Sequence, residues 1–259
     1  AEFAKEIHLL TAEPRLKSIA RDFVNHYSDL WTSGKAMFVC LNKVTCVRMY
    51  NYVQEYWKEE IKQLKAKIKT VTQQEAQELE RKLKWMQETE MAVVISQGQN
   101  EIQTFKKWNL DIKYHRAKME KRELDKEFKD SKNPLRVVFV CAMWLTGFDV
   151  KCLSCLYLDK PLKAHTLMQT IARANRVSEG KSNGLIVDYI GIVKALRKAL
   201  ADYTANVSGN GGVDPTVDKE KLINRIIETI GKAKLFLAEN DFDLQMLIDA
   251  YDFQKLSYL

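Results

Sequence analysis

Residues 135–176 read LRVVFVCAMWLTGFDVKCLSCLYLDKPLKAHTLMQTIARANR. Leu135 to Cys141 is an apolar run of strand length that leads to the turn Thr146-Gly147-Phe148-Asp149, and Cys155 to Leu158 is a second such run. A helix carrying Gln169-Thr170-Ile171-Ala172-Arg173-Ala174-Asn175-Arg176 is predicted to follow. Strand, turn, strand and helix in that order place Gly147 and Asp149 at the carboxyl edge of an α/β sheet, where such sheets bind ligands. Arg173 and Arg176 stand at i and i+3, so both project from one helix face. Two guanidiniums of fixed charge suit phosphate oxygens, above all the charge that builds during phosphoryl transfer. The bland alternative is one surface ion pair and one solvated side chain. The strand and turn ahead of the pair favour a site.

Working outward, apolar strands alternate with helices. Residues 15–33 carry the stripe Leu16, Ile19, Ala20, Phe23, Val24, Tyr27, Leu30, Trp31, a helix that covers one sheet face. Ser33-Gly34 ends it, and Ala36 to Leu41 reads as a fully buried parallel strand. A helix is predicted from about Val44 to Tyr56. Two highly charged helices follow, about 56–69 and 73–90, with Thr72-Gln73-Gln74-Glu75 as a capping box between them. This hairpin reads as an insertion, either a solvated spur or, through Lys62, Lys65, Lys67, Lys69, Arg81, Lys82 and Lys84, a contact for DNA or a neighbouring subunit.

Met91 to Ser96 is the next strand. Ile102, Phe105, Trp108 and Leu110 read mostly as packing, and Lys113 to Asp130 as a charged helix stopped by Asn133-Pro134. After a strand at 184–189 and a helix from Ile192 to Tyr203, Ser208-Gly209-Asn210-Gly211-Gly212 and Asp214-Pro215 form the clearest linker. Helices at about 218–238 and 241–258 then pack through residues such as Leu222, Ile223, Ile226, Ile227, Ile230, Leu235 and Leu244. The pattern implies a mostly parallel sheet flanked by helices, with a separate helical region after the linker.

Composition narrows the class. The 259 residues hold 41 Lys plus Arg against 34 Asp plus Glu, a net charge of +7, which modestly favours phosphate backbones as partners. No apolar run reaches the ~18 residues of a membrane span, and no signal-peptide pattern opens the chain. An odd cysteine count, with Cys40 and Cys141 inside apolar strands, points to reduced thiols and a cytoplasmic setting. Cys152 and Cys155 have zinc-ligand spacing but no second pair, so no metal is expected there. His8, His26, His115 and His165 form no catalytic or metal-binding spacing.

TGFD followed by LYLDKPLKAHTLMQTIARANR resembles motifs V and VI of a superfamily 2 helicase, and more narrowly the motor (R) subunit of type I restriction enzymes. Gly34 to Asn42 resembles motif IV on the first strand of the second RecA-like lobe, and Gly184 to Tyr189 resembles the strand after motif VI. The resemblance covers about residues 1–205, with 206–217 as linker and 218–259 as the start of a C-terminal helical domain. No G-x-x-x-x-G-K-[ST] loop is present, and Gly34-Lys35 lies in the wrong context for one. No Asp-Glu pair follows a strand, and Glu127-Phe128-Lys129 has nuclease spacing only within a charged helix pattern. The chain therefore reads as half a motor, and its start at Ala1-Glu2-Phe3 reads as an internal cut.

The resemblance implies roles. Arg173 and Arg176 would reach the γ-phosphate of ATP whose magnesium is held mainly by an N-terminal lobe, and such a group is worth about 10³–10⁵ in rate. Gln169, Gly147 and Asp149 would meet the nucleotide, Asp149 at the ribose. Thr146, with Asn42, Lys43 and Thr45 after motif IV, would touch DNA phosphates without reading sequence. His165 would orient the motif VI helix. The implied partners are DNA, the ATP-binding lobe and nuclease domain of the same polypeptide, and the modification and specificity subunits. The implied activity is ATP-dependent translocation driving DNA cleavage, the chain alone being inactive. The rival readings are a lobe of another superfamily 2 helicase and a non-catalytic interaction module.

Overall fold

The apolar runs become strands. The computed structural model of the chain describes residues 7–145, 147–162, 166–167, 169–171, 184–192 and 219–239. Strands β1 (Lys35–Cys40), β2 (Glu90–Val94), β3 (Leu135–Val140), β4 (Leu153–Asp159) and β5 (Leu185–Asp188) form one all-parallel sheet in the order β2-β3-β1-β4-β5. Both faces of its centre are buried: Phe38 and Phe139 on one, Val39 and Val140 on the other, all at 0% exposure. That is why these segments read as unbroken apolar runs rather than alternating ones.

Helix α1 (Glu13–Asp29), with a proline in its first turn, buries the predicted stripe from Leu16 to Tyr27. Phe23 is its centre, 4.6 Å from the Tyr157 ring and 5.5 Å from Phe38. Burying each such aromatic side chain stabilises the fold by about 1.5–3 kcal/mol.

Two predicted helices are one. Helix α2 runs unbroken over Lys43–Ile68, 26 residues, where a boundary near Tyr56 was expected. No Gly or Pro interrupts it, and Val53, Trp57 and Leu64 carry its buried stripe across the expected break. Helix α3 (Gln73–Glu88) returns along it, and the Glu75 carboxylate accepts from Thr72 N at 3.1 Å and Oγ1 at 2.7 Å. The base of this hairpin belongs to the core. Trp57 Nε1 donates to the Met86 carbonyl at 3.0 Å, and Met86 is 1% exposed.

The stretch after β2 departs most from expectation. It forms three short helices, α4 (Glu101–Lys106), α5 (Ile112–Lys121) and α6 (Leu124–Lys129). The helix predicted from Lys113 is interrupted at Arg122, whose extended backbone carries its guanidinium to Glu90 (2.6 Å) and Glu127. Of the apolar side chains predicted to pack, Phe105 is buried but Ile102 and Trp108 are each 53% exposed. A six-residue helix has room for one inward face, and Phe105 takes it.

The chain divides into two compact units, Ala1–Leu196 and Arg197–Leu259. In the second, α7 (Lys219–Glu239) leaves Ile223, Ile226, Ile227, Ile230 and Leu235 exposed, and the helix predicted to pack on them lies outside the described residues. A single helix cannot cover its own apolar stripe. The predicted linker at 206–217 and helix at 241–258 lie outside the described residues. Among the described residues no helix is long and apolar enough to cross a membrane.

Candidate functional site

Parallel strands deliver all their carboxyl ends to one edge, and the predicted site residues that are described lie along it. β1 ends at Cys40, and Asn42 caps α2. Its Oδ1 accepts from the Thr45 amide at 2.9 Å and the Thr45 hydroxyl at 3.0 Å, as asparagine does at helix starts. Asn42 is therefore held rigid with its side chain at the surface, whereas Thr45 is 1% exposed and committed to Asn42. Lys43 Nζ donates to the Gln97 carbonyl at 3.4 Å, joining the loops after β1 and β2. Beside these residues lies a pocket of about 360 Å³ whose further walls include His8, Arg48 and Trp108.

The loop after β3 is locked by aromatics. Trp144 adopts φ +67°, a left-handed conformation costly for a bulky residue. Its ring stacks on Phe148 at 4.2 Å and Phe128 at 5.8 Å. Between buried Leu145 and Val150, Gly147 and Asp149 stay exposed. Gly147 has φ +73°, and a Cβ there would meet nothing within 4 Å, so the position needs glycine for its backbone and leaves space open above it. Thr146 lies outside the described residues.

β4 ends in a buried ion pair. Asp159, 2% exposed, meets Arg15 Nη2 at 2.6 Å, and the same nitrogen donates to the Tyr189 carbonyl at 3.2 Å beyond β5. Burial holds the Asp159 carboxyl above its ordinary range, and Arg15 pulls it back. Lys160 Nζ donates to the Cys141 carbonyl at 2.5 Å, tying the end of β4 to the end of β3. Asp159 and Lys160 of the DKPLKAH stretch thus fasten the edge together. On the following helical residues Leu167 and Thr170 face inward at 1% exposure each, while Gln169 is exposed. Arg173, Arg176 and His165 lie outside the described residues.

Three thiols sit under this edge. Burial raises the Cys40 and Cys46 thiols, and the hydrogen bond with Cys46 raises that of Cys141. Thiols held protonated in this way are poor nucleophiles and poor ligands. The structure thus brings Asn42, Lys43 and Thr45 into one cluster and sets Gly147, Asp149 and Gln169 along the same edge.

Sequence reasoning missed the Arg15–Asp159 pair, Arg48 and Trp108. Arg48 stands at i+3 from Thr45, on the same helix face. Trp108 follows Lys106-Lys107 and precedes Asn109, a polar setting that signals an exposed ring.

Residues 32–191, which span the whole sheet, match the family model T1R_D3-like, type I restriction enzyme subunit R domain 3. The chain belongs to this family. Among relatives of the R-subunit domain, the type I restriction enzyme HindI endonuclease subunit of Haemophilus influenzae is 37% identical over 213 residues, covering 78% of this chain and 17% of that protein. The SauCOLORF180P endonuclease subunit of Staphylococcus aureus is 42% identical over 84 residues, 32% of this chain and 9% of that protein. The domain thus spans less than a fifth of these relatives' lengths. A solved fragment of a type I restriction enzyme HsdR subunit assigned in Vibrio vulnificus YJ016 aligns at 16% identity with TM-score 0.42, covering 70% of this chain and 29% of that one.

Proposed function

We propose that this R-subunit domain is the second RecA-like motor lobe of an ATP-dependent double-stranded DNA translocase that drives type I restriction cleavage. The observation that supports the reading is the family match across a parallel sheet, with Asn42 and Lys43 following β1 and exposed Gly147 and Asp149 following β3. Arg173 and Arg176 stabilise the charge on the transferred γ-phosphate of ATP bound mainly by a preceding lobe. Gln169 and Asp149 contact the nucleotide, and the open space above Gly147 admits it closely. The magnesium that accompanies ATP is held mainly by that other lobe.

Asn42 and Lys43 contact the DNA backbone, with Thr45 holding Asn42 in place. Thr146 contributes to the same backbone contact. Such contacts bind any sequence, as a translocase requires, and leave target choice to a specificity subunit acting with a modification subunit. Opening and closing against the ATP-binding lobe turns hydrolysis into stepping along DNA in the cytoplasm, and a nuclease domain of the same polypeptide cuts.

The test is DNA-stimulated ATP hydrolysis by the intact subunit and by its Arg173→Ala form. Hydrolysis falls by about 10³-fold or more in the variant while ATP binding weakens less. Near-normal turnover in the variant would remove the arginine's role. Hydrolysis by the 259-residue chain alone would contradict the division of labour between lobes.

A further inference from the structure

We propose that the pocket beside the start of α2 holds one nucleotide of an unpaired DNA strand, its base against Trp108 and its phosphate beside Lys43. This rests on the backbone-binding reading of Asn42 and Lys43 and adds to it a site for a base. Trp108 is 53% exposed and forms one wall of the recess of about 360 Å³, which is the scale of small-molecule sites. Its indole is fixed from within: the Arg48 guanidinium lies 5.4 Å from the ring centroid. Arg48 itself donates to the Thr11 carbonyl at 2.8 Å and the Tyr52 hydroxyl at 3.5 Å, with Glu13 near enough to feel its charge.

Lys43 donates to the Gln97 carbonyl, with Glu101 near enough to feel its charge. The direct salt bridges of these two carboxylates go to other cations. Arg116 takes Glu101 with two hydrogen bonds, at 2.9 and 2.8 Å, and Lys17 takes Glu13 at 2.8 Å. A flat, half-exposed indole beside two cations whose hydrogen bonds go to neutral groups matches the two halves of a nucleotide. An acidic peptide would satisfy the cations and leave the indole unused.

The pocket differs from a duplex-tracking surface in one respect. In duplex DNA the bases are stacked and cannot reach a wall set behind the backbone, so occupancy requires an unpaired base.

Anisotropy titrations of the full chain at low salt decide this. The probes are a short oligothymidylate, the same backbone with abasic sites, a blunt duplex, and thymidine monophosphate as competitor. The base-bearing strand should bind about 5- to 150-fold more tightly than the abasic one. Trp108→Ala should erase that margin while leaving abasic binding unchanged, and Trp108→Phe should keep most of it. Lys43→Ala should weaken both strands alike. Equal binding of the two strands, or a margin that survives Trp108→Ala, would overturn the proposal. Loss in Lys43→Ala with no margin to lose would leave the backbone reading standing without the base pocket. Absence of DNA binding altogether would remove both. Competition by free thymidine monophosphate at concentrations matching the strand's own would assign the pocket to a free nucleotide and overturn the strand as its source.

Discussion

Replacing Arg15 by alanine would strand Asp159 as a carboxylate with 1% of its side chain exposed. Removing one partner of a buried pair costs about 3–5 kcal/mol, because the remaining charge is left without water or counter-ion. Arg15 is 26% exposed, so water reaches part of the vacated space, which sets the loss near the lower end, about 3 kcal/mol. For a chain of this size that lowers Tm by about 6–12 °C. The deficit depends on pH with a definite sign. Burial already raises the Asp159 carboxyl above its ordinary value of 3.8, and losing Arg15 raises it further. A group that binds its proton more tightly in the folded chain contributes most stability when protonated, and that contribution is lost as pH rises through its folded value. Arg15→Ala should therefore be nearly harmless in acid and fully destabilising at neutral pH. Adding Asp159→Asn should restore most of the loss at neutral pH, since no charge is then left buried. Urea unfolding of all three proteins, followed by tryptophan fluorescence at acidic and neutral pH, measures both effects. A deficit that ignores pH, or a double variant no more stable than Arg15→Ala, would refute the argument.

Three further outcomes follow from other buried groups. His115 is 3% exposed, its Nδ1 has no hydrogen-bond partner, and burial lowers its pKa to about 4. It contributes stability above its ordinary value of 6.5 that is lost as pH falls toward 4, so His115→Phe should flatten the decline of the urea midpoint across that window. Lys35, 2% exposed, donates to the Glu127 carbonyl at 2.9 Å, and burial lowers its pKa to about 8. Wild type should gain stability between pH 8 and 10.5 relative to Lys35→Met, which has no charge to lose, and parallel pH profiles would contradict this. Gly34 has φ +122° and an added Cβ would lie 3.0 Å from the Cys152 carbonyl as well as against Ser154, so Gly34→Ala should cost about 2–4 kcal/mol in the same unfolding assay.

The sheet was legible because burial on both faces writes itself into sequence as unbroken apolar runs. The strand predicted from Leu135 is β3 starting at Leu135, and the strand predicted from Ala36 is β1 starting one residue earlier. The position of the candidate residues Asn42, Lys43, Gly147 and Asp149 in the loops after β1 and β3 followed from that order. Helix ends were harder where no breaker stands: the charged residues after Tyr56 suggested a new element, yet only Gly or Pro would have imposed one. Trp108 illustrates a different limit. Its hydrophobicity argued for the core, but which apolar residue of a short helix and turn faces inward depends on the sheet it meets, and Phe105 won that place. The Arg15–Asp159 pair joins residues 144 apart in sequence, so no local pattern announces it.

The continuity of α2 has a mechanical meaning. Its 26 residues make a rod about 39 Å long, without a glycine or proline to absorb bending. One end is the Asn42 cap at the carboxyl edge, and the other carries exposed Lys65 and Lys67 at the hairpin tip. Near its middle, Trp57 is clamped between Tyr27 and Trp85 and bonded to Met86. The first half of the rod is also anchored through buried Cys46, Val47, Met49 and Val53, so the exposed tip is carried at a fixed distance from the carboxyl edge.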